Sequence, residues 1–206
     1  MRQPLFNMSD FPQTGEEFLA GQIFLIDKPL GWTSFDLVKK AKNLIRKKYN
    51  LKKIKVGHAG TLDPLATGLL IVCTGKFTKR ISEIQGQAKV YTGEITLGGT
   101  TPSYDLETEV DARYEISHIT KRLIQDTILQ FTGEIDQKPP IFSALKRGGE
   151  RLYEKARRGE KIEIEARKIN IHSFGITAIE MPIISFEIMC GKGTYIRSIA
   201  HDFGIA

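Results

Sequence analysis

The sequence is poor in the residues that build disulfides and metal sites. It has two cysteines, Cys73 and Cys190, each at the end of an apolar run, and no Cys-x-x-Cys pair. Such cysteines are typical of small buried side chains in a reducing compartment. The four histidines are His58, His118, His172 and His201. Because these histidines do not cluster at metal-ligand spacing, we expect no bound metal.

Long apolar runs are also missing. No run approaches the roughly 20 residues that a membrane-spanning helix needs. The first residues, MRQPLFNMSDFPQTGEEF, lack the apolar block of a signal peptide. These absences predict a cytoplasmic protein without a membrane partner. The 206 residues, 41% of them hydrophobic, are enough for one large domain or two small ones to bury a substantial core.

Positive charge is abundant and unevenly distributed, with 30 Lys and Arg residues against 24 Asp and Glu residues. Residues 39–55 contain nine basic side chains and no acidic one, and residues 146–161 contain seven basic side chains with three glutamates. Residues 94–115 instead carry six acidic side chains and one basic one. A solvated helix face explains a single basic run equally well. Two runs favour nucleic acid, because neutralised phosphates release their counterions.

Short apolar segments separated by turn residues predict strands at residues 23–26, 69–73, 168–176 and 183–190, and an extended segment over residues 89–98. In the extended segment, Tyr91, Ile95 and Leu97 share one face. Helical spacing predicts three helices. The first has Phe35, Val38, Ala41 and Ile45 inward, after a cap at Thr33 or Ser34. The second has Ile119, Leu123, Ile128 and Phe131 inward, after a cap at Ser117 and with a stop at Gly133. The third has Ile196, Ile199 and Phe203 inward. This irregular mixture predicts an α+β fold with a largely antiparallel sheet.

Two regions lack a clear period. Residues 1–20 show none, and we expect them to form a loosely ordered arm. Residues 136–161 combine a Pro-Pro entry, a Gly-Gly break and a charged stretch with helical potential. This composition is typical of a long surface connection, and its basic charge favours a mobile lobe that contacts nucleic acid.

Five segments resemble, in order, the motifs of the TruB family of tRNA pseudouridine synthases. They are LIDKPLGWTS, GHAGTLDPLATGLL, KVYTGEITLG, PPIFSALKRGGERLYEKARRG and CGKGTYIRSIAHDFG. DPLATG looks like the bacterial stand-alone branch rather than the guide-RNA-dependent branch. The resemblance implies a catalytic domain over residues 21–206, with a mixed, largely antiparallel sheet of the pseudouridine synthase type, flanking helices and a thumb-like RNA-binding insertion over residues 139–161. The family pattern continues beyond HDFG, so its C-terminal end is missing from this sequence.

The reaction that the resemblance implies is the isomerisation of uridine 55 in the T arm of tRNA to pseudouridine. The N1–C1′ glycosidic bond breaks, the uracil turns in place, and C5 joins C1′. Nothing is oxidised or hydrolysed overall, so no cofactor is expected. The reaction needs a carboxylate near the sugar and base, inside a site that keeps water from the intermediate. The resemblance further implies tRNA as partner, no guide RNA, and a monomer.

Asp63 is the residue that matches the family's catalytic carboxylate. On its own, an Asp before Pro is typical of a turn and its carboxylate often caps backbone amides, so the pattern alone favours a structural role. Attack on C1′, attack on the ring and a glycal route all remain open for Asp63. Lys28 and Pro29 match the first family motif, which we interpret as mainly structural.

Four further residues acquire roles from the same resemblance. Tyr91 matches the tyrosine that stacks on the target base, and Arg197 matches the arginine that pairs with the catalytic Asp. Tyr195 is expected to line the same pocket. His58 matches the histidine associated with flipped-out nucleotides, since the target base must leave its stack. Without the resemblance these residues are typical of a strand core, surface charge, apolar packing and a structural histidine, respectively.

Two other function classes remain open at this point. A non-catalytic tRNA binder or chaperone needs only the basic segments, whereas retention of Asp63, Tyr91 and Arg197 in matching contexts favours an enzyme. A base-excising glycosidase needs a second carboxylate to activate water, and the sequence offers no convincing partner for Asp63.

Overall fold

The chain divides into two units, Met1–Gly86 and Gln87–Ala206, in a computed structural model. The structure describes residues 11–143, 145–151, 158 and 164–206. The predicted catalytic domain over residues 21–206 includes parts of both units, and its bounds stay a prediction.

The N-terminal unit contains a small sheet with helices beside it. Its strands are β1 (Ile23–Lys28), β2 (Val56–His58) and β3 (Gly68–Thr74). Its helices are α1 (Gly15–Ala20), α2 (Ser34–Lys48) and α3 (Ile81–Gln85), with a 3-10 helix over Gly75–Arg80. The strands pair antiparallel in the order β1-β3-β2, with Leu70 and Val72 of the central strand buried. Both strands predicted in this unit are confirmed, with slightly wider bounds.

Helix α1 corrects the prediction of a loosely ordered arm over residues 1–20. Thr14 caps this helix by accepting a hydrogen bond from the backbone N–H of Glu17 at 3.2 Å. Phe18 is only 2% exposed and packs against Phe24 and Tyr49, with ring centroids 5.8 and 5.1 Å apart. Six residues are too few to show a helical period, so burial of one aromatic ring orders a segment that the sequence pattern missed. Residues 1–10 lie outside the described residues.

Helix α2 begins where the sequence predicts. The Thr33 hydroxyl accepts from the backbone N–H of Asp36 at 3.0 Å, and the Asp36 carboxylate accepts from the N–H of Thr33 at 3.1 Å, which forms a capping box. The buried stripe runs through Ser34, Val38 and Ile45, whereas Phe35 is 68% exposed. The inward prediction for Phe35 is therefore wrong, because this residue lies about 100° around the helix from Ser34.

All nine basic side chains of residues 39–55 are exposed, six of them on α2 and three after it. Their exposure fits both interpretations of the run, a solvated face and a surface for phosphates. The region therefore presents a strongly positive surface without an acidic residue of its own.

The C-terminal unit contains the larger sheet. Its strands are β4 (Lys89–Thr96), β5 (Gly99–Thr100), β6 (Ala112–Arg113), β7 (Gly133–Gln137), β8 (Lys146–Arg147), β9 (Glu150–Arg151), β10 (Arg167–Glu180) and β11 (Ile183–Cys190). Among the described residues its helices are α4 (Lys121–Ile128), a 3-10 helix over Leu129–Phe131, and α5 (Ile196–Ile205). Four strands pair antiparallel in the order β4-β11-β10-β7. The predicted antiparallel sheet is thus confirmed.

The core of this unit forms between one face of the four-stranded sheet and helices α4 and α5. Alternate residues of β11 are buried, as in Ile184, Phe186 and Ile188, and α5 contributes Ile199 and Phe203 as predicted. Both cysteines are buried and free, also as predicted. Burial raises the pKa of both thiols, which keeps them in the unreactive protonated form.

Helix α4 starts three residues later than the sequence predicts. Thr120, not Ser117, is the cap, and its hydroxyl accepts from the N–H of Leu123 at 3.1 Å. With this start, Ile124 is buried while Leu123 is 41% exposed, so the inward prediction for Leu123 is wrong. Ile128 and Phe131 are buried as predicted.

The segment over residues 136–161 enters through a buried Pro140 and continues into the two-stranded hairpin of β8 and β9, with Gly148 and Gly149 at its turn. Residues 144, 152–157 and 159–163 lie outside the described residues. The thumb-like insertion over residues 139–161 falls largely on this part and stays a prediction.

Candidate active site

Asp63 lies half-buried in the loop that joins β2 to β3. Its carbonyl oxygen accepts from the N–H of Ala66 at 3.0 Å, so Asp63 begins the turn that an Asp-Pro pair predicts. Gly60 and Gly68 flank this turn with positive φ angles of 151° and 110°. A Cβ at either glycine would meet nothing within 4 Å, so both glycines serve the backbone conformation and leave open space beside Asp63.

The residues on both sides of Asp63 are tied to the segment between β1 and α2. The buried Ser34 hydroxyl donates to the carbonyl of Leu62 at 3.1 Å and accepts from the N–H of Leu62 at 2.9 Å. The N–H of Gly31 donates to the carbonyl of Pro64 at 2.8 Å. These backbone contacts fix the position of Asp63 without using its carboxylate.

Lys28 adds a buried positive charge to the same loop. Its side chain is 0% exposed, and its ammonium donates to the carbonyls of Pro29 at 3.0 Å, Trp32 at 2.6 Å and Pro64 at 3.3 Å. Burial lowers the pKa of Lys28, and the negative charge of Asp63 opposes that shift. Lys28 therefore holds two loops together, as its structural interpretation predicts, and it also places a cation in the electrostatic environment of Asp63.

His58 ends β2 and pairs with Val72 of β3. Its Nδ1 contacts the carbonyl of Gly60 at 2.5 Å. Because a carbonyl oxygen only accepts, Nδ1 is the donor in this contact. The half-buried ring is thus oriented by its own loop, and its role toward flipped-out nucleotides stays a prediction.

Tyr91 lies on β4 opposite Ile188 of β11. The ring is half-buried and packs against the core of the C-terminal unit, as a strand residue would. Gly93 is the next residue on the same face, and a Cβ there would lie 2.8 Å from the ring of Phe186. The Tyr91 ring therefore has the core on one side, while its stacking on a target base stays a prediction.

Tyr195 is the residue before α5 and is held through its backbone. The buried Gln137 amide donates to the carbonyl of Tyr195 at 3.0 Å and accepts from its N–H at 2.8 Å. The Arg167 guanidinium lies 4.9 Å from the centre of the Tyr195 ring and donates to the carbonyl of Gly193. Gln137, at the end of β7, thus fixes Tyr195, which lies two residues before Arg197.

Arg197 belongs to a polar cluster in the C-terminal unit. Its guanidinium donates to the carbonyls of Ser103 at 2.8 Å and Phe142 at 3.1 Å, and lies 3.4 Å from the carboxylate of Asp105. Both side chains of this ion pair are only 14% exposed. The predicted pairing of Arg197 with Asp63 stays a prediction.

Asp105, the ion-pair partner of Arg197, was not predicted from the sequence. Its carboxylate accepts from the hydroxyl of Ser103 at 2.5 Å and from the N–H of Glu107 at 3.0 Å. The available signal was Asp105 within PSYDLET, where serine, aspartate and threonine side chains can fold back on their own loop. In the sequence pattern Asp105 is only one charge of the acidic stretch over residues 94–115.

The loop that carries Asp105 has a second attachment to α5. The ring of Tyr104 stacks on the ring of His201, with centroids 3.7 Å apart and planes 11° from parallel. Tyr104 has a positive φ of 62°, a conformation that costs a non-glycine residue energy and persists only where the surrounding structure enforces it. His201 is one helical turn beyond Arg197. It contacts Tyr104, while Arg197 contacts Ser103 and Asp105 on either side of it.

Replacing His201 by Ala is expected to lower the free energy of unfolding by about 1 kcal/mol, since the aromatic stack is lost. His201→Phe keeps a flat ring and should restore most of that loss. Thermal or denaturant unfolding of the three proteins at pH 7 measures this difference. Equal destabilisation by Ala and Phe would contradict a role for the stack.

The same variants are expected to differ in pH dependence. Burial lowers the pKa of His201, while the charges of Asp202 and Asp111 oppose the shift. As pH falls below about 6.5, the unfolded chain therefore takes up a proton here before the folded protein does, and stability is lost. Burial raises the pKa of Asp202, which makes stability rise as pH falls and so opposes the effect of His201. The informative quantity is therefore the free energy of unfolding of the parent minus that of His201→Phe. That difference should grow more unfavourable to the parent between pH 7 and pH 5.

The predicted site residues fall into two groups. Asp63 and His58 share the β2–β3 loop region of the N-terminal unit with Lys28, whereas Tyr91, Tyr195 and Arg197 lie in the C-terminal unit. Among the described residues, no group of His, Cys, Asp and Glu side chains could hold a metal ion. Within the same part of the chain, no helix has the length and apolar character needed to cross a membrane.

Residues 46–196 match the family model described as TruB family pseudouridylate synthase (N terminal domain). A relative named tRNA pseudouridine synthase B from Flavobacterium johnsoniae is 64% identical over 194 residues, which cover 94% of this chain and 85% of the relative. A relative of the same name from Parabacteroides distasonis is 51% identical, covering 92% of this chain and 81% of the relative. These bacterial relatives confirm the predicted branch and the predicted enzyme class.

Two solved structures show the same fold. A chain from the crystal structure of a Cbf5-Nop10-Gar1 complex is 27% identical with a TM-score of 0.63, covering 95% of this chain and 49% of that one. A chain from an H/ACA RNP bound to a substrate RNA containing 2′-deoxyuridine is 25% identical with a TM-score of 0.61, covering 92% of this chain and 44% of that one. This chain thus spans about half the length of either. The α+β prediction is confirmed, and the chain belongs to the TruB family of pseudouridylate synthases.

Proposed function

We propose that this chain converts uridine 55 in the T arm of tRNA to pseudouridine, with Asp63 as the essential carboxylate. The observation that carries the proposal is the Asp63 loop, which Ser34 and Gly31 fix through the backbones of Leu62 and Pro64. The backbone that carries the carboxylate is thus positioned before substrate binds, which favours catalysis. Family membership and the name shared by the bacterial relatives support the reaction and the tRNA substrate.

The reaction is balanced within the substrate. The N1–C1′ bond breaks, C5 bonds to C1′, the hydrogen on C5 leaves to water, and N1 gains a proton. Asp63 acts as nucleophile or in proton transfer, and no oxidant, reductant or cofactor is consumed. The ammonium of Lys28, which interacts with the charge of Asp63, offsets part of the cost of holding a carboxylate beside an RNA backbone.

The target uridine leaves the stacked T arm before it reacts. In this proposal Tyr91 stacks on the flipped base, because its ring is supported by the core beneath it. His58 contacts the nucleotides displaced by flipping, and Tyr195 lines the pocket. The exposed basic run over residues 39–55 attracts the phosphates of the same RNA. The chain acts as a monomer and without a guide RNA.

Arg197 orients the Asp63 carboxylate in this proposal, and Asp105 positions Arg197. The role of Asp105 follows from its ion pair with Arg197, in which both side chains are largely buried. A planar guanidinium held by two carbonyls and a carboxylate has a fixed direction.

A tRNA transcript tritiated at uracil C5 tests the function, because joining C5 to C1′ expels that hydrogen into water. We expect release of one tritium per tRNA, and its loss when cytidine replaces uridine 55. Binding of both transcripts is measured in parallel as the control. Tight binding of the uridine transcript without release would contradict the enzyme and leave the chaperone interpretation.

A further inference from the structure

Large apolar side chains are exposed around the Asp63 loop. Leu30 is 63% exposed, Phe35 is 68% exposed and Leu65 is 44% exposed. Trp32 is half-buried, and the ammonium of Lys40 lies 4.7 Å from the centre of its ring. We name Leu30, Trp32, Phe35 and Leu65 the apolar rim.

Hydrogen bonds tie together the two segments that carry the apolar rim. Gly31, between Leu30 and Trp32, bonds to Pro64, the residue before Leu65. Ser34, the residue before Phe35, bonds to both backbone groups of Leu62. The rim therefore borders Asp63 on the side of the β1–α2 segment, in the same unit of the chain.

The surroundings of the apolar rim are positively charged. Helix α2 begins beside Trp32 and carries the exposed basic run, and Lys40 joins the two features by covering the Trp32 ring. The acidic residue at the start of α2, Asp36, caps the helix with Thr33, and Asp63 lies in the loop that the rim borders. Exposed aromatic rings beside lysines are the combination that binds unstacked nucleotides, with bases on the rings and phosphates near the ammonium groups.

We infer that the apolar rim binds an unstacked nucleotide of the RNA substrate, distinct from the uridine that reacts, with its base against Phe35 and Trp32 and its phosphate near Lys40. The identity of that RNA as tRNA rests on the proposed function. The charge of the surface selects RNA over a protein partner, since only an acidic partner would complement it. The rim contributes to substrate binding rather than to the chemical step.

Trp32 is the one tryptophan of the 206-residue sequence, so its fluorescence reports on the apolar rim alone. Titration with the tRNA transcript is expected to quench or shift this emission, with a midpoint equal to the Kd from filter binding. Saturating tRNA that leaves the emission unchanged, while filter binding shows a complex, would overturn the inference.

Phe35→Ala supplies the second measurement. We expect its Kd for the tRNA transcript to rise about tenfold, the effect of removing one stacked ring. Phe35→Tyr keeps a ring and should bind like the parent. Leu44→Ala is the matched control, because Leu44 is 59% exposed on the same helix but lies about half a turn around it from Phe35. A Kd for Phe35→Ala that stays within twofold of the parent, or a rise shared by Leu44→Ala, would overturn the inference.

Tritium release separates this inference from the proposed function. We expect Phe35→Ala to raise KM with kcat unchanged, because uniform binding is lost. If the parent releases tritium while Phe35→Ala keeps the KM and Kd of the parent, the proposed role of the rim is overturned and the proposed enzyme activity stands. A parent that releases none, while its Trp32 emission responds to tRNA and Phe35→Ala binds weakly, would support the rim and refute the enzyme.

Discussion

Asp63→Asn is expected to reduce tritium release from tRNA by about 10⁴-fold or more, the scale on which removal of an essential catalytic group acts. The amide has the same shape but is a poor nucleophile and a poor proton acceptor. We expect the Kd for tRNA to stay within about threefold of the parent, because removing a negative charge does not weaken attraction to phosphates.

The fold should tolerate this change. The position of the loop depends on backbone contacts of Leu62 and Pro64 with Ser34, Gly31 and Lys28, which the amide leaves in place. Lys28 loses the opposing charge of Asp63, so a modest fall in melting temperature is expected. Thermal unfolding, measured alongside activity, separates a lost reaction from a lost fold.

Asp126→Asn is the matched control for the loss of one carboxylate. Its side chain is 65% exposed and pairs with Arg122 across one helical turn, an arrangement worth a few tenths of a kcal/mol. This control should release tritium at the parent rate. If Asp63→Asn retained more than about a tenth of the parent rate, Asp63 would not be the group on which the reaction depends.

Five strands, β1, β3, β4, β10 and β11, and the start of α2 follow from local patterns in the sequence. Short apolar segments bounded by turn residues predicted the strands around Leu70 and Ile188, and the cap at Thr33 or Ser34 was visible because an N-cap needs only residues three positions apart. Helix α1 is too short to show a helical period. At α4 the local pattern favoured Ser117 as the cap, whereas the structure has the cap at Thr120 and buries Ile124.

The site divides in the same way. The sequence places Asp63 in a turn, and the structure shows that turn. The hydrogen bonds that hold this turn could not be predicted from the sequence, because those of Lys28 and Ser34 join residues 36 and 28 positions apart. The partners of Arg197 are still more distant, with Ser103 lying 94 residues away in the sequence. Contacts of this kind arise from chain topology rather than from any local pattern, so Asp105 was missed.

The second large effect is expected at this Arg197 cluster. Arg197→Lys should lower kcat by about 10²-fold or more, with the Kd for tRNA nearly unchanged, because a misplaced orienting group costs rate rather than binding. A single ammonium cannot reproduce the planar fork that serves Ser103, Phe142 and Asp105 together. Arg122→Lys, at a side chain 91% exposed, controls for the substitution itself.

Asp105→Asn tests whether the buried carboxylate acts through Arg197. We expect a smaller fall in kcat, of about 10-fold to 10²-fold, because the guanidinium keeps its two carbonyl partners but loses the charge that balances it. If the two residues act as one unit, the double variant should be little worse than Arg197→Lys alone. Fully additive losses would show that Asp105 acts independently of Arg197. Activity of all variants is compared well below their melting temperatures, since breaking a largely buried ion pair also destabilises the fold.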